Sequence, residues 1–173
     1  EKHVNNFLLN PDQTVMLMHG KRGSGKSFFG KHFAWTNLMS YNPDNPEDWI
    51  FTYTSLRLRT NPVGNLIQEV FGTLNRAEQE RLKSKKICIF CDAFDETDFN
   101  HSDTGHTEFR NLYETNNLEQ WPNLKLIFSS RTDYCDISFF TPTKGKLICL
   151  YLERPFVAAE YYYERYTQVN RDA

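Results

Sequence analysis

Apolar residues in this chain come as short runs of strand length, separated by longer stretches with helical spacing. The run Val15-Met16-Leu17-Met18 predicts a first strand over about 14–19. A glycine-rich turn follows, then a helix over about 26–39 that closes at Tyr41 to Asp48, where Asn-Pro occurs twice. Trp49 to Thr54 reads as the second strand, Arg57 to Asn65 as a loop, and Leu66 to Lys83 as helical material in two pieces split near Leu74. Ile87 to Cys91 is the third strand, followed by an acidic, polar loop to about His106 and a helix from Thr107 to Glu119 that Pro122 stops. Leu124 to Ser129 is the fourth strand and Leu147 to Leu152 the fifth, with Pro142 and Gly145 between them and a last helix after Pro155.

Apolar strands alternating with helices imply an α/β three-layer sandwich: a parallel five-stranded sheet with helices on both faces. In such sheets ligands sit at the carboxyl ends of the strands, so the residues just after each strand are the ones that carry chemistry.

After the first strand stands Gly20-Lys21-Arg22-Gly23-Ser24-Gly25-Lys26-Ser27, followed by Phe28. This is a complete phosphate-binding loop. Its glycines let the backbone turn tightly and aim N–H groups inward, the following helix adds its positive N-terminal end, and the Lys26 ammonium reaches the β- and γ-phosphates. The Ser27 hydroxyl is a ligand for Mg²⁺, and Lys26 is expected to be solvated when no nucleotide is bound. The cofactors implied are ATP or ADP with Mg²⁺.

The third strand ends in Asp92-Ala93-Phe94-Asp95-Glu96. A carboxylate at the tip of a core strand holds Mg²⁺ through its water shell, which assigns Asp92 to the metal together with Ser27. Glu96 is placed to orient or deprotonate the attacking water, and Asp95 to support the metal or its waters. The fourth strand ends in Ser129-Ser130-Arg131, and a guanidinium there can pair with the γ-phosphate; the competing partner is Asp133. Glu96, Asp95 and Arg131 are therefore the catalytic candidates. His19 reads as a satisfied core histidine. His101, Asp103 and His106 lack a ligand spacing that would make a metal site, and the aromatics Phe156, Tyr161, Tyr162, Tyr163 and Tyr166 read as one packing face of the last helix.

Composition narrows the classes. A chain of 173 residues with 39% hydrophobic content fits one domain with a sizeable core. The net charge of −2 offers no footprint for nucleic acid, and Lys83-Ser84-Lys85-Lys86 reads as the solvated end of a helix. No apolar run nears the ~18 residues that span a bilayer, and no charged-then-apolar leader opens the chain. The expectation is a cytoplasmic protein with no membrane and no nucleic-acid partner. Cys88 and Cys91 lie on one strand and point to opposite faces, so they read as buried thiols rather than a disulfide or zinc pair. The missing initiator Met and the end at Ala173 give the expectation of a piece excised from a longer multidomain protein.

Taken together, the motifs resemble the NACHT domains of the STAND class of P-loop NTPases, signalling switches that include animal innate-immune receptors. The resemblance covers nearly the whole chain as a single nucleotide-binding domain, 1–173. Its most discriminating part is Asp92-Ala93-Phe94-Asp95-Glu96, a small residue after the magnesium aspartate and two acids shortly after it. Ser129-Ser130-Arg131-Thr132 looks like the family's sensor arginine, and Ser55-Leu56-Arg57 and Tyr151-Leu152-Glu153-Arg154-Pro155-Phe156 look like family segments.

The resemblance implies a slow ATPase that works as a nucleotide-operated switch and drives homo-oligomerisation on activation. It also implies helical, winged-helix, sensor and effector domains elsewhere in the parent chain. With Glu96 as the water-activating acid of the additional-strand class, the strand bearing Arg131 is inserted beside the phosphate loop, giving the order 5-1-4-3-2. The alternatives are a P-loop kinase of a small molecule, with the stretch from Arg131 to Gly145 as a lid, and a nucleotide-binding module without significant hydrolysis. A GTPase would need an Asn-Lys-x-Asp guanine reader, and no such string occurs.

Overall fold

The computed structural model describes residues 2–58, 64–97, 112–134 and 146–152. The elements are α1 (Lys2–Leu9), β1 (Gln13–Gly20), α2 (Lys26–Ser40), β2 (Trp49–Ser55), α3 (Leu66–Phe71), α4 (Arg76–Lys83), β3 (Lys86–Asp92), α5 (Leu112–Thr115), β4 (Leu124–Arg131) and β5 (Lys146–Leu152), with short 3₁₀ turns at Phe94–Glu96, Leu118–Gln120 and Thr132–Tyr134. The expectations for His101, Asp103, His106, the stretch to Gly145 and the aromatic segment from Phe156 to Tyr166 fall outside the described residues.

The fold is α/β with a parallel sheet. Its hydrogen-bonded order is β2-β3-β4-β1-β5. Val15 to Gly20 on β1 face Leu126 to Arg131 on β4, and β3 lies on the far side of β4, with Ile87 opposite Leu124. Because strand side chains alternate between faces, β1 and β3 serve two cores at once. Val15, Leu17, Ile89 and Cys91 join Leu66, Phe94, Leu112, Trp121 and Phe128 on one side. Met16, Met18, Cys88 and Phe90 join Val4, Phe7, Phe33 and Phe51 on the other. The two cysteines are thus buried free thiols on opposite faces, each pushed up in pKa chiefly by burial.

The break near Leu74 has a local cause. Asn75 Oδ1 accepts from the Glu78 N–H at 3.0 Å while the Asn75 N–H donates to Glu78 Oε2 at 2.8 Å, a capping box that starts α4 afresh. The helix expected to run to Glu119 instead stops at Thr115, because Asn117 turns to a left-handed φ of 50°. Its neighbour Asn116 is buried and accepts the Ile67 N–H at 3.1 Å, so the end of α5 completes the first turn of α3.

Helix α1 was not expected from the apolar pattern. Val4, Phe7 and Leu8 have helical spacing, but the run is only eight residues long. What holds it is a buried cation: Lys125 Nζ donates to the carbonyls of Phe7, Asn10 and Gln13 at 2.8, 2.5 and 2.6 Å, and lies 4.8 Å from the Phe7 ring centroid. The lysine, on β4, ties off the end of α1 and the entry to β1 in one place. Burial lowers its pKa.

Two substitutions test this packing. Gly30 on α2 sits so close to β3 that an added Cβ would lie 2.3 Å from the Phe90 ring. Gly30→Ala should therefore cost about 1–3 kcal/mol and lower the melting temperature by roughly 2–12 °C; an unchanged melt would mean that α2 is free to lift. Lys125→Met removes three charge-assisted bonds and strands their carbonyls, and should cost about 2–4 kcal/mol in urea unfolding. A loss below about 0.5 kcal/mol would remove Lys125 as the fastening of α1.

Candidate functional site

The turn from β1 into α2 is built around two left-handed glycines, Gly23 at φ 79° and Gly25 at φ 88°. Gly25 is also the N-cap of α2, which starts with no side-chain cap and no acidic residue in its first turn. The N–H groups that open a helix have no intrahelical partner and favour an anion; no side chain caps this end of the 15-residue helix. All nine predicted loop residues, Gly20 to Phe28, lie on this turn or the first turn of α2. Lys21, Arg22, Gly23 and Ser27 are exposed, Ser24 is buried, and the half-exposed Phe28 ring stacks on His32 at 5.8 Å.

Lys26 corrects one expectation. It is not solvated: it is buried, and its Nζ donates to Gly20 O at 2.8 Å, Lys21 O at 3.1 Å and Ser24 Oγ at 3.3 Å. Carbonyls of the loop face the ammonium, and that fixes it over the turn. Its charge, after burial, helps push the His19 pKa below the ordinary value. His19 is half-buried beside the Thr132 hydroxyl, 3.5 Å away.

The three acids after β3 are held in three different ways. Asp92 is buried, accepts the Tyr53 hydroxyl at 2.6 Å on Oδ2, and accepts the Ser129 hydroxyl on Oδ1. Asp95 is also buried and takes Arg131 twice, the backbone N–H at 3.1 Å and Nε at 2.5 Å. Glu96 is partly exposed and pairs with Arg57 Nε at 2.8 Å, while the Glu96 carbonyl accepts the Leu58 N–H at 3.2 Å. The Arg131 guanidinium pairs with Asp95.

Register explains how these groups come together. Gly20 pairs across the ladder with Arg131, which brings the arginine to the start of the glycine-rich turn, and Ser55 pairs with Asp92, which brings β2 to the acids. Ala93 adopts a left-handed φ of 61° immediately after Asp92, and its N–H donates to Ser129 Oγ at 3.0 Å. The chain therefore bends off β3 at a fixed point, and the three carboxylates leave the sheet in different directions.

Tyr53, Ser129 as a hydroxyl donor, and Arg57 as the partner of Glu96 were not read from the sequence as site residues. Their signal is positional: each lies within two residues of the carboxyl end of a strand, where polar side chains converge. The Tyr53 phenol is pushed well above its ordinary pKa, first by burial and then by its bond to Asp92 and that group's charge.

The residues present fit a nucleotide with Mg²⁺. The uncapped α2 N-terminus and the buried ammonium suit phosphates. Ser27 and Asp92 suit a cation that keeps most of its waters. Among the described residues no group of three or more His, Cys, Asp or Glu makes a metal cage.

Comparison with known proteins adds the fold. No family model and no curated protein matches the sequence. Among solved structures, a chain of the Drosophila ORC structure bound to DNA aligns with a TM-score of 0.51 at 12% identity, over 88% of this chain and 41% of that one. The C. elegans PCH-2 structure aligns at 14% identity with a TM-score of 0.46, over 89% of this chain and 39% of that one. This chain thus spans less than half the length of either match. At such identities the likeness is one of fold alone, an α/β fold with a parallel sheet.

Proposed function

We propose that this chain is the nucleotide-binding domain of a larger NACHT-type protein and works as a slow, Mg²⁺-dependent ATPase switch. The observation that carries this reading is the uncapped, glycine-turned start of α2 with the Lys26 ammonium buried over it. In this reading Gly20 to Ser27 cradle the phosphates, with Phe28 beside them, and Lys26 trades its carbonyl partners for phosphate oxygens. Ser27 and Asp92 hold Mg²⁺, which when bound neutralises charge on the phosphates. Glu96 orients the attacking water, Asp95 holds the Arg131 guanidinium, and Arg131 meets the γ-phosphate.

The position of β4 between β1 and β3 supports assignment to the additional-strand class. Residues 1–173 then form one domain. Its partners are other copies of itself on activation and the helical, winged-helix, sensor and effector parts of a parent protein, in the cytoplasm. Nucleic acid stays outside the proposal, since Lys83 pairs with Glu80 and Lys86 with Glu47 rather than forming an open basic face. Among the described residues, no helix is long and apolar enough to cross a membrane.

A second reading, a module that holds nucleotide without hydrolysing it, is favoured by one observation: Glu96 and Arg131 are each engaged by an opposite charge, Arg57 and Asp95. Turnover requires the Glu96–Arg57 pair to open.

Binding is tested by thermal melts with ATP and Mg²⁺. At 100 times the dissociation constant the ligand should add about 2.7 kcal/mol, which raises the melting temperature by roughly 5–10 °C. Lys26→Ala should lose that rise and, because it strands loop carbonyls, should also melt lower without ligand; an equal ATP-induced rise in the variant would sink the phosphate assignment.

Hydrolysis is tested by Glu96→Gln. A water-orienting carboxylate acts mainly in the transition state, so single-turnover hydrolysis should fall by about 10²-fold or more while ATP affinity changes little. An unchanged single-turnover rate would leave the holding-module reading in place or move catalysis to another acid.

A further inference from the structure

The Asp92 carboxylate is gripped from both sides. Its Oδ2 accepts the Tyr53 hydroxyl at 2.6 Å and its Oδ1 accepts the Ser129 hydroxyl, so donors from β2 and β4 meet on a residue of β3. A carboxylate has about four lone-pair sites. One hydroxyl on each oxygen fixes the plane of the group and leaves about one further lone pair on each oxygen.

Neither donor is itself loose. Ser129 Oγ accepts the Ala93 N–H at 3.0 Å, which directs its own proton to Asp92. The Tyr53 ring stacks on Phe90 at 6.0 Å and 10°, and Lys31 Nζ stands 5.5 Å from its centroid on the α2 side. Phe90 is in turn the ring against which Gly30 of α2 packs. A hydroxyl at the end of so well braced a ring holds one position. Phenylalanine would fill the same space and make the same stack, so packing alone does not account for the oxygen.

We propose that Tyr53 is a positioning residue for the metal: its hydroxyl holds the Asp92 carboxylate in the orientation that receives the water shell of nucleotide-bound Mg²⁺. The assignment rests on the nucleotide reading given above. Partners of a metal-binding carboxylate typically govern affinity for the metal by about 10- to 100-fold. The effect is therefore expected on the metal and not on the phosphates, which are held by a different part of the chain.

The experiment measures ATP affinity in EDTA, and then titrates Mg²⁺ at saturating ATP, in wild type and Tyr53→Phe. The variant should bind ATP in EDTA as wild type does, and should need about 10-fold more free Mg²⁺, or higher still, for half of the metal-dependent rise in melting temperature. Mn²⁺ affinity of the ATP complex, read by water-proton relaxation, should weaken by the same factor. Tyr53→Leu, which keeps an apolar contact with Phe90, must give the same metal shift.

A Mg²⁺ midpoint within twofold of wild type overturns the assignment, as does an equal loss of ATP affinity in EDTA, which would mark Tyr53 as structural. A wild-type protein that binds ATP with no response to Mg²⁺ overturns the metal reading of Asp92 itself. One that binds no ATP overturns the nucleotide reading, and either result is distinct from a failure confined to Tyr53.

Discussion

The turn between β1 and α2 imposes the constraint from which the rest of the site follows. A chain leaving the middle of a parallel sheet and entering a helix at once must reverse within a few residues, and two of them, Gly23 and Gly25, take left-handed angles that side chains disfavour. Once the turn is made, the amide ends of α2 and the carbonyl ends of β1 face one space. A cation is needed among the carbonyls and an anion near the amides. Lys26 supplies the first. Everything else at this edge of the sheet is arranged by strand register around that pair of demands.

The acids beyond β3 extend the same logic. Asp92 and Asp95 are buried, and buried carboxylates need hydrogen-bond donors. Asp92 draws neutral hydroxyls from β2 and β4; Asp95 draws a guanidinium and a backbone N–H from the end of β4. Glu96 lies nearer the solvent, and its bridge to Arg57 is the kind of exposed pair that salt and water weaken readily. The three carboxylates are therefore graded in how readily they can be recruited, with Glu96 the most easily released and Asp95 the most firmly held.

Much of the architecture was legible in the amino-acid order because local signals and burial agreed. The apolar run at Val15 and the opposed pair Cys88 and Cys91 predict strands buried on both faces, and the glycine-rich stretch predicts the tight turn from β1 into α2. The failures have physical causes. Helix α1 is too short to announce itself and is secured by Lys125, a residue more than a hundred positions away in sequence. The helix expected to reach Glu119 ends early because Asn116 is spent on the backbone of α3, a tertiary demand that outweighs local preference. Tyr53 was invisible as a site residue for a similar reason: an aromatic in a strand reads as packing, and only the register of β2 on β3 sets its hydroxyl against Asp92.

The bonds of Lys26 to its own loop make the ammonium a resident counter-ion of the turn. Under the proposed nucleotide function, a phosphate that enters would draw it away from Gly20 O and Lys21 O, and those carbonyls would have to find water or another donor at the same moment. Recognition at this loop is then an exchange of partners, and its strength reflects the difference between two sets of bonds. A mutation that merely opened the loop to solvent would change affinity without touching a single group that contacts the ligand.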